Sequence, residues 1–370
     1  MQKKILLQIR QKYPGLMDSC NEYLRAFDDS KYHKVVVYLK GEHDEEIAAQ
    51  TPADQVYFLE YMDTRLPFIP LRAVWQICKI CRQHAVNIVV AHRYKPTYIM
   101  TLASFFCRPA NLVSVVHIEG QFSTWRRKLF AKFFLNQRVR FIAVSESTRQ
   151  DILNSGIGTA ADRVLSLPNC TSWEQLEGSI LPKEEARKKI GVHNGDYLVG
   201  NVGRLSPKKD QETLIQAFAL FQKMTPNSKL IIVGNGRMEQ DLKAKAEQQG
   251  LKERVIFTGN IPNAYQIMSA FDLYAQTSVS ESFGRVLLEA MIARIPIVAT
   301  DSGGIREVVG PEIDLQQAGD CEKLAQAMYA AQQLSEQEKK ELVERQFLRV
   351  KEVFSRDEFA KTLHEFLDAQ

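Results

Sequence analysis

The stretch Glu281-Ser282-Phe283-Gly284-Arg285-Val286-Leu287-Leu288-Glu289-Ala290-Met291 decides how this chain folds. An apolar run at 271–275 and a polar turn at 276–280 precede it, and the apolar run 296–300 follows. The order predicts a strand, a loop, a helix that begins near Phe283 or Gly284, and a second strand. The first N–H groups of that helix have no partner within it, so they form an anion site.

Two carboxylates flank the start of this predicted helix. Glu281 lies in the loop before it, and Glu289 lies about one and a half turns inside it. Gly284 lets the chain turn and lets a ligand approach the backbone closely. Carboxylates on either side of a bound phosphate can hold hydroxyl groups, which matches a nucleotide sugar with its sugar, diphosphate and ribose. The alternative is a solvated surface pair, since most glutamates spaced in this way are exposed.

Length and composition indicate a globular protein of two domains. At 370 residues the chain is longer than one hydrophobic core usually covers. Its hydrophobic fraction is 45% and its charged fraction 25%, as in ordinary globular proteins. We expect a cytoplasmic location, since no apolar run of about 18 residues occurs and the first residues are too polar for a secretory signal. The six cysteines complete no zinc set, so no metal is expected.

The net charge of +4 is unevenly distributed along the chain. Residues 1–170 carry 23 Lys and Arg against 15 Asp and Glu, whereas the remaining residues carry 25 against 29. A basic first half and a mildly acidic second half suggest domains that face different partners.

Short β-branched runs alternate with amphipathic segments in both halves of the chain. The pattern predicts an α/β protein with two parallel sheets, each covered on both faces. Predicted strands lie at 5–9, 35–39, 88–91, 112–117 and 141–144, and then at 197–202, 229–233, 255–257, 273–275 and 297–299. The expected domains are residues 1–167 and 168–350, with a last helix, 351–370, packing back on the first. Ligands of such domains bind at the carboxyl ends of the strands.

Three loops at predicted strand ends carry further candidate residues. Arg204 and Lys209 follow the first strand of the second half and suit an oligophosphate, although a plain basic loop is the alternative. Gly234 ends the next strand, where an ordinary turn explains it slightly better. His117 ends an apolar strand, and a histidine at the carboxyl end of a strand faces the ligand crevice; a structural histidine is the alternative.

Gly15 follows the first predicted strand, where a loop would close under a ligand. A dinucleotide fold would place G-x-G-x-x-G there. The sequence Lys-Tyr-Pro-Gly-Leu at 12–16 does not provide it, so a dehydrogenase is disfavoured.

The segment 124–140 is basic and aromatic, with six Lys and Arg and no acid. Such a helix can lie on an anionic membrane surface. The candidate membrane contacts are Trp125, Arg126, Arg127, Lys128 and Lys132. The alternative is a core helix with a solvated basic face. Nucleic acid is not an expected partner, because no binding module accompanies the charge.

Taken together, these motifs resemble the retaining glycosyltransferases of family 4, which have the GT-B architecture of two Rossmann-like domains facing a cleft. The resemblance covers residues 201–309. It comprises Gly203-Arg204 with Lys209-Asp210, Val-Gly-Asn-Gly at 233–236, Val-Ile-Phe-Thr-Gly at 255–259, Phe-Asp-Leu at 271–273, Glu281-Ser-Phe-Gly, Glu289-Ala-Met, and Gly303-Gly304 before Glu307.

The resemblance implies a role for each matched residue. Arg204 and Lys209 would bind the donor diphosphate, and Glu289 would hold the ribose hydroxyls. Glu281 would contact the donor sugar, while Ser282, Phe283 and Gly284 would offer backbone N–H groups. His117 resembles the catalytic histidine of the family's first domain. The family is generally metal-independent, so no cofactor is expected beyond the nucleotide sugar.

Three positions depart from the family pattern. Only Gly15 remains of a glycine pair that often follows the first strand. Ser282 stands where Gly is frequent, and Arg294 stands where Gly usually precedes the Pro strand, so we expect that turn to be built differently.

The sequence therefore predicts a hexosyltransferase that moves a sugar from a nucleotide-diphosphate donor to an acceptor hydroxyl with retention. The charge asymmetry suits an acidic or phosphorylated acceptor, as in lipopolysaccharide core or other surface-glycan synthesis, with the protein peripheral on the inner face of the cytoplasmic membrane. The alternatives are a GT-B epimerase or hydrolase of nucleotide sugars and a non-catalytic nucleotide-sugar-binding protein.

Overall fold

The computed structural model describes residues 3–11, 19–61, 70–135, 139–193 and 195–369. Gly15 and its loop lie outside these ranges. The chain divides into two compact units, Met1–Cys170 with Arg356–Gln370 and Thr171–Ser355, called unit 1 and unit 2 below. The division falls just beyond residue 167, and the last helix belongs to unit 1.

Unit 1 contains a seven-stranded parallel sheet in the order β3-β2-β1-β4-β5-β6-β7. Its strands are β1 (Lys4–Arg10), β2 (Tyr32–Tyr38), β3 (Gln55–Phe58), β4 (Ile88–His92), β5 (Asn111–Val116), β6 (Arg140–Ala143) and β7 (Val164–Ser166). Its described helices are α1 (Ser19–Arg25), α2 (Glu45–Gln50), α3 (Leu71–His84), α4 (Tyr94–Cys107), α5 (Trp125–Phe130), the π-helix Ala131–Leu135, α6 (Glu146–Asn154), the 3₁₀ turn Ala161–Arg163 and α15 (Arg356–Asp368).

Unit 2 contains a five-stranded parallel sheet in the order β10-β9-β8-β11-β12. Its strands are β8 (Tyr197–Val202), β9 (Ser228–Val233), β10 (Val255–Gly259), β11 (Leu273–Gln276) and β12 (Ile297–Ala299). Its described helices are α7 (Trp173–Glu177), α8 (Lys183–Lys189), α9 (Gln211–Met224), α10 (Glu239–Gln248), the 3₁₀ segment Ala264–Ala270, α11 (Arg285–Ile292), α12 (Ile305–Val309), α13 (Cys321–Gln332) and α14 (Glu336–Val353).

The strand order of each sheet creates one position where ligands of α/β proteins bind. In unit 1 the order reverses between β1 and β4, and in unit 2 it reverses between β8 and β11. Loops leave the two strands of such a pair in opposite directions, which opens a crevice at their carboxyl ends. The predicted α/β class with two parallel sheets is confirmed.

The core of unit 1 follows from continuous apolar strands. Val35, Val36 and Val37 are all fully buried, as expected for a parallel strand that helices cover on both faces. From the chain end, α15 contributes the buried residues Phe359 and Leu363.

The predicted basic helix is shorter than expected. It consists of α5 and the π-helix, and Arg140 instead begins β6. The Arg140 guanidinium donates to the carbonyl oxygens of Leu367 at 3.0 Å and Ala369 at 2.9 Å, at the end of α15. Arg140 therefore caps a helix C-terminus and is not part of a membrane-facing basic surface.

Two strands were not predicted, for identifiable reasons. β3 is only half-buried and its first residue, Gln55, is exposed, so its sequence lacks a clear apolar run. β7 has only three residues. Both lie at the edges of the sheet, where packing demands less hydrophobicity.

The turn before β12 is built around Arg294 in place of glycine. Its φ of 54° lies in the left-handed region, which costs about 1 kcal/mol for a residue with a side chain. The guanidinium bonds to Glu177 and Glu344, each at 2.8 Å, and lies 3.9 Å from the Phe347 ring centroid. These contacts offset the strain.

We predict that Gly200→Ala strongly destabilises unit 2. A Cβ there would lie 2.2 Å from the Phe271 ring, which is itself buried. Overpacking of this kind costs about 1–3 kcal/mol. The matched control is Gly195→Ala, whose Cβ would meet nothing within 4 Å. Urea unfolding should show a lower midpoint for the first variant only; equal midpoints would contradict this packing.

Candidate active site

Gly284 sets the geometry of the turn between β11 and α11. It is the N-cap residue of α11, with φ of 91° and ψ of 53°, a conformation that favours glycine. A Cβ there would lie 2.9 Å from Leu287 Cδ1 and 3.4 Å from Glu281 Cγ. The predicted start of the helix at Phe283 or Gly284 is therefore correct to within two residues.

The start of α11 presents hydrogen-bond donors. Among the residues that the structure describes, the N–H groups of Phe283, Gly284 and Arg285 find no acceptor. The Phe283 side chain is buried with its ring centroid 5.8 Å from that of Phe354, so it anchors the turn. Ser282, between Glu281 and Phe283, is half-buried. This arrangement suits an anion at the helix N-terminus.

The Glu281 carboxylate is held by three groups from two loops. Its Oε2 accepts hydrogen bonds from Gln276 Nε2 at 3.3 Å and Ser278 Oγ at 3.4 Å. It also forms an ion pair with Lys209 Nζ. The backbone is fixed as well, because Gly304 N donates to Glu281 O at 2.8 Å.

Lys209 and Arg204 lie on the loop that follows β8. Lys209 is fixed by its pairing with Glu281 and by its own carbonyl oxygen, which accepts from Thr277 Oγ1 at 3.1 Å. The Arg204 side chain is exposed and has no partner within the described parts of the chain. Asp210 is the N-cap of α9, with its carboxylate accepting from Thr213 N.

Gly234 acts through its lack of a side chain. A Cβ at Gly234 would lie 2.0 Å from the carbonyl oxygen of Gly203, and Gly203 N donates to Val233 O at 2.9 Å. The loop after β9 thus supports the loop that carries Arg204. An ordinary turn therefore explains the glycine at position 234. A contact between Gly234 and the donor stays a prediction.

Glu289 lies in α11 beside a buried phenol. Burial raises the pKa of the Glu289 carboxyl, and Arg285 opposes the shift. Burial also raises the pKa of the Tyr274 phenol well above its usual range; a hydrogen bond to Val202 O opposes this, and the charges of Glu289 and Glu281 add to it. Both carboxylates raise the pKa of the same phenol, so both lie near Tyr274.

In unit 1, His117 follows β5 and meets a second histidine. Its Nε2 lies 3.0 Å from Nδ1 of His92, the last residue of β4. His92 is buried, whereas His117 is half-buried. Cys20 lies close by, and one potential ligand atom from each of the three residues lies within 4.8 Å of the others.

The candidate membrane residues occupy α5 and the π-helix. The side chains of Trp125, Arg126, Lys128 and Lys132 are exposed. Arg127 differs, because it donates to Gln121 O at 3.1 Å and lies 4.6 Å from the Tyr94 ring centroid. Arg127 thus holds the segment to the body of unit 1.

The sequence analysis missed Tyr274, Gln276 and Ser278 around Glu281, and His92 beside His117. Gln276 ends β11 and Ser278 lies in the turn that follows, so both belong to the polar stretch that precedes Glu281. His92 follows the apolar run 88–91, so the strand-end argument applied to His117 would also have found it.

Comparison with known proteins gives two family matches. The model of the glycosyl transferases group 1 matches residues 182–344, and the model of glycosyltransferase family 4 matches residues 19–171. Together they account for most of both units.

Relatives and solved structures agree with these matches. N-acetylgalactosamine-N,N'-diacetylbacillosaminyl-diphospho-undecaprenol 4-alpha-N-acetylgalactosaminyltransferase from Campylobacter jejuni is 24% identical over 286 residues, 73% of this chain and 74% of the relative. The lipopolysaccharide core biosynthesis mannosyltransferase LpsB of Rhizobium meliloti is 32% identical over 135 residues, 34% of this chain and 38% of the relative. The structure of Anabaena HepE in complex with UDP-glucose aligns with a TM-score of 0.82 at 23% identity, covering 99% of this chain and all of HepE. The architecture is GT-B, as predicted.

None of the helices described here is long and apolar enough to cross a membrane.

We predict opposite stability effects for the two glutamates. A carboxyl whose pKa is raised in the folded state stabilises the fold while it is protonated and destabilises it once it ionises. The free energy of unfolding therefore falls as the pH rises from the ordinary carboxyl range through the folded-state pKa. Glu289→Gln should therefore raise the melting temperature at pH 7, and this increase should vanish in acid.

Glu281→Gln breaks the pair with Lys209 and should lower the free energy of unfolding by about 1–3 kcal/mol at pH 7. Calorimetry across pH tests both signs, and a destabilised Glu289→Gln protein would contradict the first.

Proposed function

Because the chain belongs to the group 1, family 4 glycosyltransferases, we propose that it moves a hexose from a nucleotide diphosphate to an acceptor hydroxyl with retention of configuration. The observation that carries the proposal is the Lys209–Glu281 pair before α11. It joins a cation and a carboxylate beside the N–H groups of Phe283, Gly284 and Arg285, which find no acceptor among the described residues. A nucleotide sugar needs both charge types, for its diphosphate and for its hydroxyls.

Each residue of this site has a role in donor binding. Arg204, exposed and unengaged among the described residues, closes on the diphosphate, while Lys209 uses its remaining N–H bonds for the same group. The N–H groups of Ser282, Phe283 and Gly284 hold oxygens of the diphosphate or sugar. Glu281 orients the sugar and Glu289 accepts from the ribose hydroxyls. Gly234 supports the loop that carries Arg204, and the donor contact of Gly15, which lies outside the described residues, stays a prediction.

Leaving-group departure requires that negative charge on the diphosphate be stabilised. Two cations and a helix N-terminus supply this stabilisation in the proposed site, so no metal is required. In unit 1, His117 is the candidate catalytic residue and offers a hydrogen-bonding group. Retention follows from the family resemblance, and the Campylobacter relative is named for an alpha linkage.

The acceptor is proposed to be a surface glycan or its lipid-linked precursor, phosphorylated in part. The Campylobacter relative is named for a diphospho-undecaprenol-linked acceptor and the Rhizobium relative for lipopolysaccharide core biosynthesis. The excess of basic residues in unit 1 favours an acidic acceptor.

Exposed apolar and basic side chains on unit 1 support a peripheral position on an anionic membrane. Trp125 is 68% exposed, Phe133 71% and Phe106 64%, an unusual exposure for such large apolar groups. Arg126, Lys128 and Lys132 lie on the same short segment as two of them. Aromatic groups inserted at the headgroup level, with cations beside them, are typical of interfacial binding.

Donor binding tests the proposed function. Arg204→Ala and Lys209→Ala should each weaken binding of the preferred nucleotide diphosphate by about 1.5–3 kcal/mol, because each removes a charge-assisted contact. The matched control is Lys208→Ala on the same loop, which should bind nearly as wild type. Titration calorimetry with UDP, GDP and ADP in EDTA gives the affinities. Unchanged binding in both variants would refute the site, and binding or turnover that requires added Mg²⁺ would refute metal independence.

Membrane binding is tested by charge removal. The triple variant Arg126→Ala, Lys128→Ala, Lys132→Ala should bind anionic vesicles more weakly by about 3 kcal/mol, about 1 kcal/mol for each cation. A control with equal charge loss on unit 2, Lys188→Ala, Lys189→Ala, Lys223→Ala, should bind as wild type. Vesicle sedimentation at low and high salt measures both, since salt screens the attraction. Equal losses in the two variants would show that net charge, and not this segment, determines binding.

A further inference from the structure

A row of buried polar side chains runs across the crevice of unit 1. It begins at Arg10 and Gln8 on β1, continues to His92 at the end of β4, and ends at His117 after β5. These residues come from three neighbouring strands of the sheet. Arg10, Gln8 and His92 are each no more than 2% exposed, so their polar atoms need hydrogen-bond partners within the protein.

Arg10 fixes the orientation of the Gln8 amide. Arg10 Nε lies 2.6 Å from Gln8 Oε1, and a guanidinium can only donate, so this atom must be the oxygen. The other end of the amide gives the same answer, because Gln8 Nε2 lies 2.9 Å from the carbonyl oxygen of Cys20, which can only accept. Arg10 is itself held by Asn21 Oδ1 at 2.7 Å and Tyr38 Oη at 3.2 Å.

The amide orientation in turn determines where His92 carries its proton. Gln8 Nε2 lies 2.7 Å from His92 Nε2. Since the amide donates, His92 Nε2 must accept, and the single proton of the neutral ring is on Nδ1. Burial lowers the pKa of His92 well below its usual value, with His117 and Arg10 adding to the shift, which agrees with a neutral ring.

The donor-to-acceptor direction of these hydrogen bonds also determines the protonation of His117. His92 Nδ1–H donates to His117 Nε2 at 3.0 Å. His117 Nε2 is therefore an acceptor, and its proton is on Nδ1. We propose that Gln8 and His92, anchored by Arg10, are positioning residues that hold His117 as a neutral ring with its proton on Nδ1. The Nδ1 atom of His117 can then only donate, and the ring cannot take up a proton at Nε2.

The same donor direction argues against a metal at Cys20, His92 and His117. Their ligand atoms lie close enough together for one ion, but a metal needs an unprotonated nitrogen from each histidine. His92 Nδ1 could supply one only if its proton moved to Nε2, where it would face the Gln8 NH₂ group. Turning the amide would then place NH₂ against Arg10 Nε.

Nitrogen-15 NMR of the full chain with labelled histidines tests the proposal without turnover. The chain has seven histidines, so His92 and His117 can be assigned by substitution. At pH 7 both rings should show a protonated Nδ1 and a bare Nε2. A proton on His117 Nε2, or one metal ion per chain that is lost in Cys20→Ser, would overturn the proposal.

Two nearly isosteric variants test the causal direction. Asn at position 92 can donate through Nδ2 where His92 Nδ1 lies, so His92→Asn should leave His117 Nε2 bare. Asp can only accept there, so His92→Asp should move a proton onto His117 Nε2, whether the ring stays neutral or becomes charged. Identical His117 spectra in both folded variants would overturn the proposal.

The role in turnover rests on the proposed function and is measured separately. His92→Asp should transfer sugar about tenfold or more slowly than His92→Asn, the equivalent of one hydrogen bond. In a His117→Ala background the two substitutions should give equal rates. A difference that persists there would show that His92 does not act through His117. If no transfer is found with any acceptor, the proposed function fails while the NMR result stands.

Discussion

The ion pair between Lys209 and Glu281 is the contact on which the candidate site of unit 2 depends. It joins the loop after β8 to the turn after β11, and these strands are neighbours at the point where the strand order reverses. Lys209 is 24% exposed and Glu281 16%, so solvent only partly screens the attraction. Without the pair, each loop would carry a half-buried charge with no partner of opposite sign among the described residues, although Thr277 Oγ1 would still donate to Lys209 O.

The crevice of unit 1 uses a different kind of chemistry. Unit 2 gathers charged groups that can exchange partners when an anion arrives. In unit 1, Arg10 is the single charged member of the row, and the remaining members are neutral groups whose donor directions are mutually consistent. A row of this kind resists rearrangement, because reversing one hydrogen bond places two donors or two acceptors together at several positions. The first arrangement suits binding of a charged group, and the second suits holding one ring in one protonation state.

The sequence predicted those features that local pattern controls. The predicted strands 197–202 and 297–299 agree with the structure at both ends. A mainly apolar run between polar turns determines where such a strand begins and ends. It failed where distant contacts decide. Arg140 joins β6 and caps α15, although its neighbours in sequence suggested a basic helix. Gln8 and His92 are 84 residues apart, and no local pattern indicates that their side chains meet.

Two residues with left-handed backbone conformations and one desolvated carboxyl lie at the candidate site of unit 2. Gly284 and Asp210 adopt left-handed backbone conformations, and Glu289 is desolvated without an ion-pair partner among the described residues. Elsewhere in the unit, the left-handed Arg294 is compensated by two ion pairs and an aromatic ring. Strain that persists without local compensation is typical of functional sites, where a ligand supplies the missing contacts. Ribose hydroxyls at Glu289 would provide donors to a carboxylate whose charge the fold alone does not stabilise. Binding of the donor should therefore stabilise unit 2 by more than the diphosphate contacts alone provide. The ribose hydroxyls would offset the desolvation of the Glu289 carboxylate that is already present in the unliganded protein.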